Sequence, residues 1–307
     1  MCVHLFGAIS SPGVANFALR QCAIDSRDKF GEAAYSTMMN NFYVDDMLKS
    51  VHSEDEAASL AVSVNRSCEG RGFNLTKFIS PSIKLLQSLP PEKRAKFVED
   101  INIPVDEVDR ALGVAWYVNR DTFKFRIVFK DKPLNRSGML SSISSTYDPD
   151  GTAGPFFIKG RKILQELTFM KGNWRDKVPE EYALRWERWR NELMLLEDVE
   201  LPRCLKPPNF GNVVESSLHT FADASEVGYG MCSYLRQVNE KKEIHVALVL
   251  AKSRVTPLKL VTIPRLELAA ATLGAKMHNM LKEELMISDL KEKLWVDSKI
   301  RLGIRPL

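Results

Sequence analysis

Cysteine is scarce in this 307-residue chain. The five cysteines (Cys2, Cys22, Cys68, Cys204 and Cys232) are scattered, odd in number and contain no C-x-x-C pair. That usage excludes a disulfide framework or a zinc knuckle and fits a reducing compartment. No apolar run approaches the roughly 18 residues that a membrane span needs, and the N-terminus carries no signal-peptide pattern. Neither sign of charge dominates: 43 Lys and Arg against 39 Asp and Glu leave a net charge of +4. Such a balance permits a local basic groove for nucleic acid without demanding one. Asp-Thr-Gly and Asp-Ser-Gly are both absent, which removes aspartic peptidase chemistry. The five histidines (His4, His52, His219, His245 and His278) fall in no nucleophile motif and read as ordinary strand, helix or loop residues. What remains is 45% hydrophobic and 27% charged, the composition of a soluble, intracellular globular protein of two or three domains with no membrane partner.

The patterning is mixed α/β. Ser11 and Pro12 open a helix that the pattern carries to about Phe30. "FYVDDMLKSV" reads as a hairpin, and Ser53 with Glu56 forms a capping box for a helix lined by Ala57, Leu60, Ala61, Val64 and Cys68 and ended by Gly70 or Gly72. "FNLTKFI" (73–79) alternates like a strand, short helical pieces follow around Pro90-Pro91, and "LGVAWYV" and "TFKFRIVF" read as a second hairpin. From 131 onward, helical stretches flank the turn-rich "DPDGTAGP", and "PEEYALRWERWRNELMLLED" is a helix. Its Trp186, Trp189 and Leu193 recur at helical spacing, a stripe better suited to a core than to a nucleobase platform. "LPRCLKPPNFGN" has the composition of a linker. Beyond it come strands in "SLHTFADAS", "GYGMCSYLR" and "KEIHVALVLAKSRV", the amphipathic helix "IPRLELAAATLGAKMHNMLKEEL", and a last strand in "EKLWVDS".

Two constellations carry chemistry. Asp45 and Asp46 interrupt an apolar run, and two readings stand: a solvent-exposed turn, or hard oxygen ligands at a hairpin tip. In the last third, Asp223 ends the first strand, Glu267 lies early in the helix and Asp297 ends the fourth strand. Acids converging from three elements repel unless cations neutralise them, and two Mg²⁺ ions roughly 3.5–4 Å apart can be held that way to clamp a phosphodiester. Each acid taken alone also has an ordinary reading, since Asp at a strand end and Glu early in a helix are common.

"FADASEVGYG", "AKSRVTPLKLVTIPRLELAAA" and "LWVDS" resemble the ribonuclease H region of Pol polyproteins of Bel-Pao class LTR retrotransposons. "VHLFGAISSPGVANFALR" and "NFYVDDMLKSV" resemble the reverse transcriptase palm of the same polyprotein, and "LGVAWYV" its primer-gripping Leu-Gly hairpin. The stretch from "SSISSTYDPDGTAGPFFIKGRKILQEL" to "RWERW" resembles the segment joining the two enzymes. The resemblance implies an α/β (α+β) chain with a partial palm and thumb-like region at 1–130, a joining region at 131–214 and a truncated, mixed-sheet ribonuclease H-like domain at 215–307. It implies Mg²⁺ (or Mn²⁺) held by Asp45 and Asp46, chiefly Asp45, in one site and by Asp223, Glu267 and Asp297 in another.

By the same resemblance, Tyr43, Val44, Leu112 and Gly113 lie along the primer. Lys252 and Arg254, with Lys159, Arg161 and Lys162, are candidates for phosphate contacts, solvated surface charge being the equal alternative. The expected partners are an RNA–DNA hybrid, a primer-template, deoxynucleotides and the remainder of Pol, in the cytoplasm or in virus-like particles. The family's upstream palm aspartate and its fourth ribonuclease carboxylate do not occur in these 307 residues. The expectation is therefore an internal piece of a larger polyprotein, impaired as an isolated chain. The alternative is a catalytically inactive nucleic-acid-binding remnant.

Overall fold

The computed structural model describes residues 7–95, 108–111, 114–127, 132–170, 172–259 and 261–297. The chain divides into two compact units, Met1–Asp121 and Thr122–Leu307. The expected joining region therefore lies in the same unit as the C-terminal sheet.

The first unit begins with helix α1 (Ser11–Asn40), capped at Ser10 without a side-chain hydrogen bond. Ser11 is thus inside the helix, one residue after the cap position. At Gly31 the backbone leaves helical geometry with φ of 85°, so the first half ends at Phe30 as the sequence suggests. The helix resumes beyond the expected end and runs to Asn40, because Gly adopts this conformation cheaply and the stretch after it lacks a breaker. Strands β1 (Phe42–Tyr43) and β2 (Asp46–Met47) pair antiparallel, with Phe42 opposite Met47 and Tyr43 opposite Asp46. Helix α2 (Glu54–Glu69) has the expected cap, since Ser53 Oγ accepts the Glu56 N–H at 3.2 Å, while the Glu56 carboxylate accepts the His52 N–H. Leu60, Val64 and Cys68 pack on Leu19, Cys22, Ala23 and Met38 of α1, forming the core of this unit. Ala58 is buried, whereas Ala57 is only half-buried.

The strand expected at 73–79 does not form. Lys77 has φ of 60°, which breaks the alternation, and Phe78 makes only an isolated bridge to Arg94. Helix α3 (Ile83–Gln87) and a 3₁₀ turn (Pro91–Lys93) follow, and β3 (Val108–Ala111) pairs antiparallel with β4 (Val114–Tyr117).

In the second unit, β5 (Thr122–Lys124) pairs with β6 (Glu200–Pro202), and between them lie α4 (Arg136–Ile143), α5 (Gly154–Phe169) and α6 (Glu180–Met194). The stretch read as a linker therefore starts as a paired strand. Trp186, Trp189 and Leu193 are buried among Phe157, Ile163 and Leu167, so the aromatic stripe is core. Trp189 Nε1 donates to the Phe156 carbonyl at 2.8 Å. A Cβ on Gly160 would lie 2.6 Å from the Trp189 ring, which is why glycine occupies that turn of α5.

The C-terminal sheet is built from β7 (Val213–Ala224), β8 (Gly228–Asn239), β9 (Ile244–Val255) and β10 (Lys291–Val296), in the order β10-β7-β8-β9. β7, β8 and β9 form an antiparallel meander, and β10 runs parallel to β7. A parallel neighbour requires a crossover, which helix α7 (Ile263–Leu285) supplies. One face of α7 packs on the sheet: Leu281 meets Leu218 and Leu250, and Ala270 and Leu273 meet Ala222 and Met231. The contact is close because Gly274 faces Ala222, where an added Cβ would come to 3.1 Å from the alanine methyl. α5 packs against β9, where the Ala251 N–H donates to the Asp150 carbonyl at 2.7 Å and Gly154 faces Ser253.

Candidate functional site

Alternation along β7 sorts its residues cleanly. Leu218, Thr220 and Ala222 are buried toward α7, while His219, Phe221 and Asp223 project from the opposite face. Asp223 sits opposite Gly230 in the regular β7–β8 ladder and is exposed. The β10–β7 register pairs Trp295 with Phe221 and ends at Val296 with Ala222; Asp297 is the residue that follows this last pair, as Asp223 is on β7. Continued by one residue, that register would bring the two aspartates to about one strand spacing, about 4.8 Å, near the strand ends. Asp223 Oδ1 accepts the Ala224 N–H at 2.7 Å.

Next to this pair the same face carries a row of rings. Trp295 stacks on Phe221 at 6.0 Å and on His219 at 6.1 Å, and Phe221 meets Tyr234 edge-on at 6.1 Å. Lys293 lies over the Trp295 ring. Phe221 and Trp295 remain 42% and 47% exposed. Burial, with Lys293 and Arg236 nearby, holds the His219 imidazole below its ordinary 6.5, which suits Nδ1 as the acceptor of the Trp295 N–H.

Glu267 occupies the row of α7 that continues through Ala271, Gly274 and His278. Because Gly274 meets Ala222 and His278 meets Thr220, α7 runs against β7 and its N-terminal end reaches the end of β7 that bears Asp223. All three acids thus come to one end of the domain. They do not close into one cluster. Seven residues of helix put Glu267 about 10 Å beyond Gly274 along the axis, whereas Asp223 lies about 3 Å beyond Ala222 and on the other face. Among the described residues, no group of three His, Cys, Asp or Glu is placed to hold a metal ion.

Behind the acids runs a buried polar chain that the sequence gave no reason to single out. His278, 1% exposed, has Nδ1 2.8 Å from Thr220 Oγ1 and Nε2 3.1 Å from Glu292 Oε2. Thr220 Oγ1 lies 2.7 Å from Ser233 Oγ, and Lys282 Nζ 2.6 Å from Glu292 Oε1. The hydrogen bond from Lys282, more than that from His278, holds the Glu292 carboxyl below the usual carboxylate range.

In the first unit, Val44 and Asp45 form the two-residue tip between β1 and β2, with Val44 at φ of 55°. Phe42 and Met47 pack inward on the core, while Tyr43, Val44, Asp45 and Asp46 are all exposed. The hairpin reading of the Asp-Asp pair holds, and no third acid joins it among the described residues. Leu112 and Gly113 lie outside the described residues.

The basic candidates separate. Lys159 pairs with Glu192 at 2.9 Å, Lys162 donates to Gln165, and Arg161 donates to the Ser253 carbonyl while covering the Phe157 ring. Lys252 and Arg254 are exposed on β9. A groove of about 920 Å³ beside them is lined by Leu140, Phe157, Arg161, Leu164, Arg254 and Leu258, among others. At one wall, burial pushes the Asp148 carboxyl upward although it accepts the Ala153 N–H. No helix among the described residues is long and apolar enough to cross a membrane.

A meander of three strands, a crossover helix and a parallel fourth strand with acids at its carboxyl end define a ribonuclease H-like α/β domain. The family described as Pao retrotransposon-like RNaseH-like domain matches residues 135–298, more than half of the chain. The chain belongs to that family. Comparison with curated proteins gives no match. Among solved structures, a foamy viral protease-reverse transcriptase dRH in complex with ds DNA aligns with 97% of this chain and 44% of that one, at 14% identity and a TM-score of 0.46. The chain thus spans less than half the length of that neighbour.

Proposed function

We propose that the second unit acts on RNA–DNA hybrids as a metal-dependent ribonuclease H of a retrotransposon Pol polyprotein. The observation that supports this reading is the parallel β10–β7 register, whose last pair, Val296 with Ala222, directly precedes Asp297 and Asp223 at the α7 end that bears Glu267. Carboxylates are hard oxygen donors suited to Mg²⁺ or Mn²⁺, and two on adjacent strands satisfy the first requirement of such a site. Asp223 and Asp297 would hold the ion; Glu267 belongs to the same end but stands apart from them. When bound, the cation would polarise the phosphodiester and lower the pKa of a water. The protein's own residues carry that pair on adjacent strands of the sheet, and the exposed Phe221 and Trp295 rings beside it are of a type that stacks on nucleobases. An A-form hybrid would be recognised by shape and 2′-hydroxyls rather than by base sequence. Because Glu267 stands apart, weak cleavage is expected of the isolated chain.

For the first unit we propose the hairpin tip of a polymerase palm. Tyr43 and Val44 would lie beside a primer terminus, with Leu112 and Gly113 also along the primer, and Asp45 and Asp46 would serve as Mg²⁺ ligands. Deoxynucleotides and a primer-template are the corresponding partners, and the rest of Pol the natural context. The exposed Asp-Asp tip supports this reading.

The second reading, an inactive nucleic-acid-binding remnant, draws on the open placement of Glu267. A labelled RNA–DNA hybrid incubated with Mn²⁺ separates the two. The nuclease reading expects slow cleavage of the RNA strand that Asp223→Asn abolishes. Tight hybrid binding with no cleavage, unchanged by Asp223→Asn, favours the remnant.

A further inference from the structure

We infer that His278 is a positioning residue that holds the three acid-bearing elements, β7, α7 and β10, in one register. The inference deepens the nuclease reading and rests on it for its consequence at the metal site, though not for its geometry.

The hydrogen-bond directions are constrained. Glu292, held ionised by Lys282, can only accept, so the His278 Nε2 facing it carries a proton. Nδ1 of the same ring hydrogen-bonds with Thr220 Oγ1, and Thr220 Oγ1 with Ser233 Oγ. One continuous chain of hydrogen bonds runs Ser233–Thr220–His278–Glu292 through β8, β7, α7 and β10. Thr220, Ser233 and His278 are each at most 1% exposed, so water offers no substitute for a broken link.

The placement matters more than the number of bonds. Thr220 lies three residues before Asp223 on β7, Glu292 five before Asp297 on β10, and His278 on the α7 row that begins at Glu267. β10 is the strand with most to gain. All six of its residues are exposed, it has one strand neighbour among the described residues, and Glu292 is tied to α7 through both His278 and Lys282. Apolar contacts of α7 with β7 and β8 would set the helix depth without this chain, but they do not fix how β10 sits against it. Loss of the imidazole frees the relative position of Asp297 and Glu267 first.

Three substitutions separate the links. His278→Phe removes both. His278→Gln keeps a donor toward Glu292, and His278→Asn keeps an acceptor toward Thr220. The first readout is amide hydrogen exchange without metal, at Leu266–Glu267 and at Trp295–Val296. We expect faster exchange at both places together in His278→Phe, with His278→Gln restoring protection at β10 more than His278→Asn does. The second is Mn²⁺ affinity of the folded proteins by calorimetry, where outer-shell losses of this kind weaken binding by about ten- to a hundredfold. Exchange at these amides unchanged beyond a uniform loss of stability overturns the positioning role, whatever the metal does. Measurable Mn²⁺ binding of equal affinity in wild type and His278→Phe also overturns it. Absence of Mn²⁺ binding in the wild type, with exchange responding as expected, removes the nuclease reading and leaves His278 as the residue that registers the three elements.

Discussion

Two pairs of aspartates in this chain reach exposure by opposite routes. Asp45 and Asp46 are neighbours in sequence, carried by a hairpin with two register pairs at its base. Asp223 and Asp297 are distant in sequence, and each directly follows the last pair of the six-pair register of β10 on β7. The first pair depends on local turn chemistry and on Phe42 and Met47 packing beneath it. The second depends on a sheet, a crossover helix and a buried polar chain. A motif legible as adjacent letters therefore rests on the smaller frame of the two, and the pair that no local reading could join draws on a four-stranded sheet and its helix.

The comparison can be broken by weakening the frame of one pair alone. Leu218 of β7 is fully buried against Leu250 and Leu281, so Leu218→Ala should cost about 2–5 kcal/mol in urea unfolding of the second unit. Gly160→Ala should follow at about 1–3 kcal/mol, because the new methyl collides with the Trp189 ring. The pH dependence is a finer instrument. Glu292 has a depressed carboxyl, so its contribution is complete above the ordinary 4.5 and is lost as pH falls through the lowered folded value. Glu292→Gln should flatten that part of the acid limb of melting temperature against pH. His219 resists protonation in the folded chain, so the unfolded chain takes up a proton first and stability drops as pH falls below 6.5. His219→Gln should remove that drop. The smallest effect belongs to the hairpin: Asp45→Asn and Asp46→Asn should each change stability by no more than about 0.5 kcal/mol.

Much of this architecture is legible from local pattern. The Ser53–Glu56 cap, the Trp186–Trp189–Leu193 stripe and the long row of α7 each state their element, because helix chemistry is local. The strand at 73–79 fails for the complementary reason: alternation describes a strand only when a partner is there to pair with it, and Phe78 finds a single bridge. At the candidate site, the sequence names three acids and their elements, and the fold brings all three to one end. It could not reveal that Glu267 lies about two helical turns past the level of Gly274 while Asp223 turns to the other face, since that offset is set by where α7 settles on Ala222 and Thr220. Thr220, Ser233, His278 and Glu292 read in sequence as unremarkable polar residues. Only the burial of their shared interface gives them a role.

The central claim is that Asp223 and Asp297 form the divalent-cation site of a ribonuclease H-like domain. Thermal melting of the purified chain across a Mn²⁺ titration tests it most directly, because an ion that binds the folded form alone raises the melting temperature. The account predicts a saturable rise in the wild type, little changed by Glu267→Gln and abolished when Asp223 and Asp297 are both replaced by Asn. A rise of equal size in the wild type and in the doubly substituted chain would contradict it.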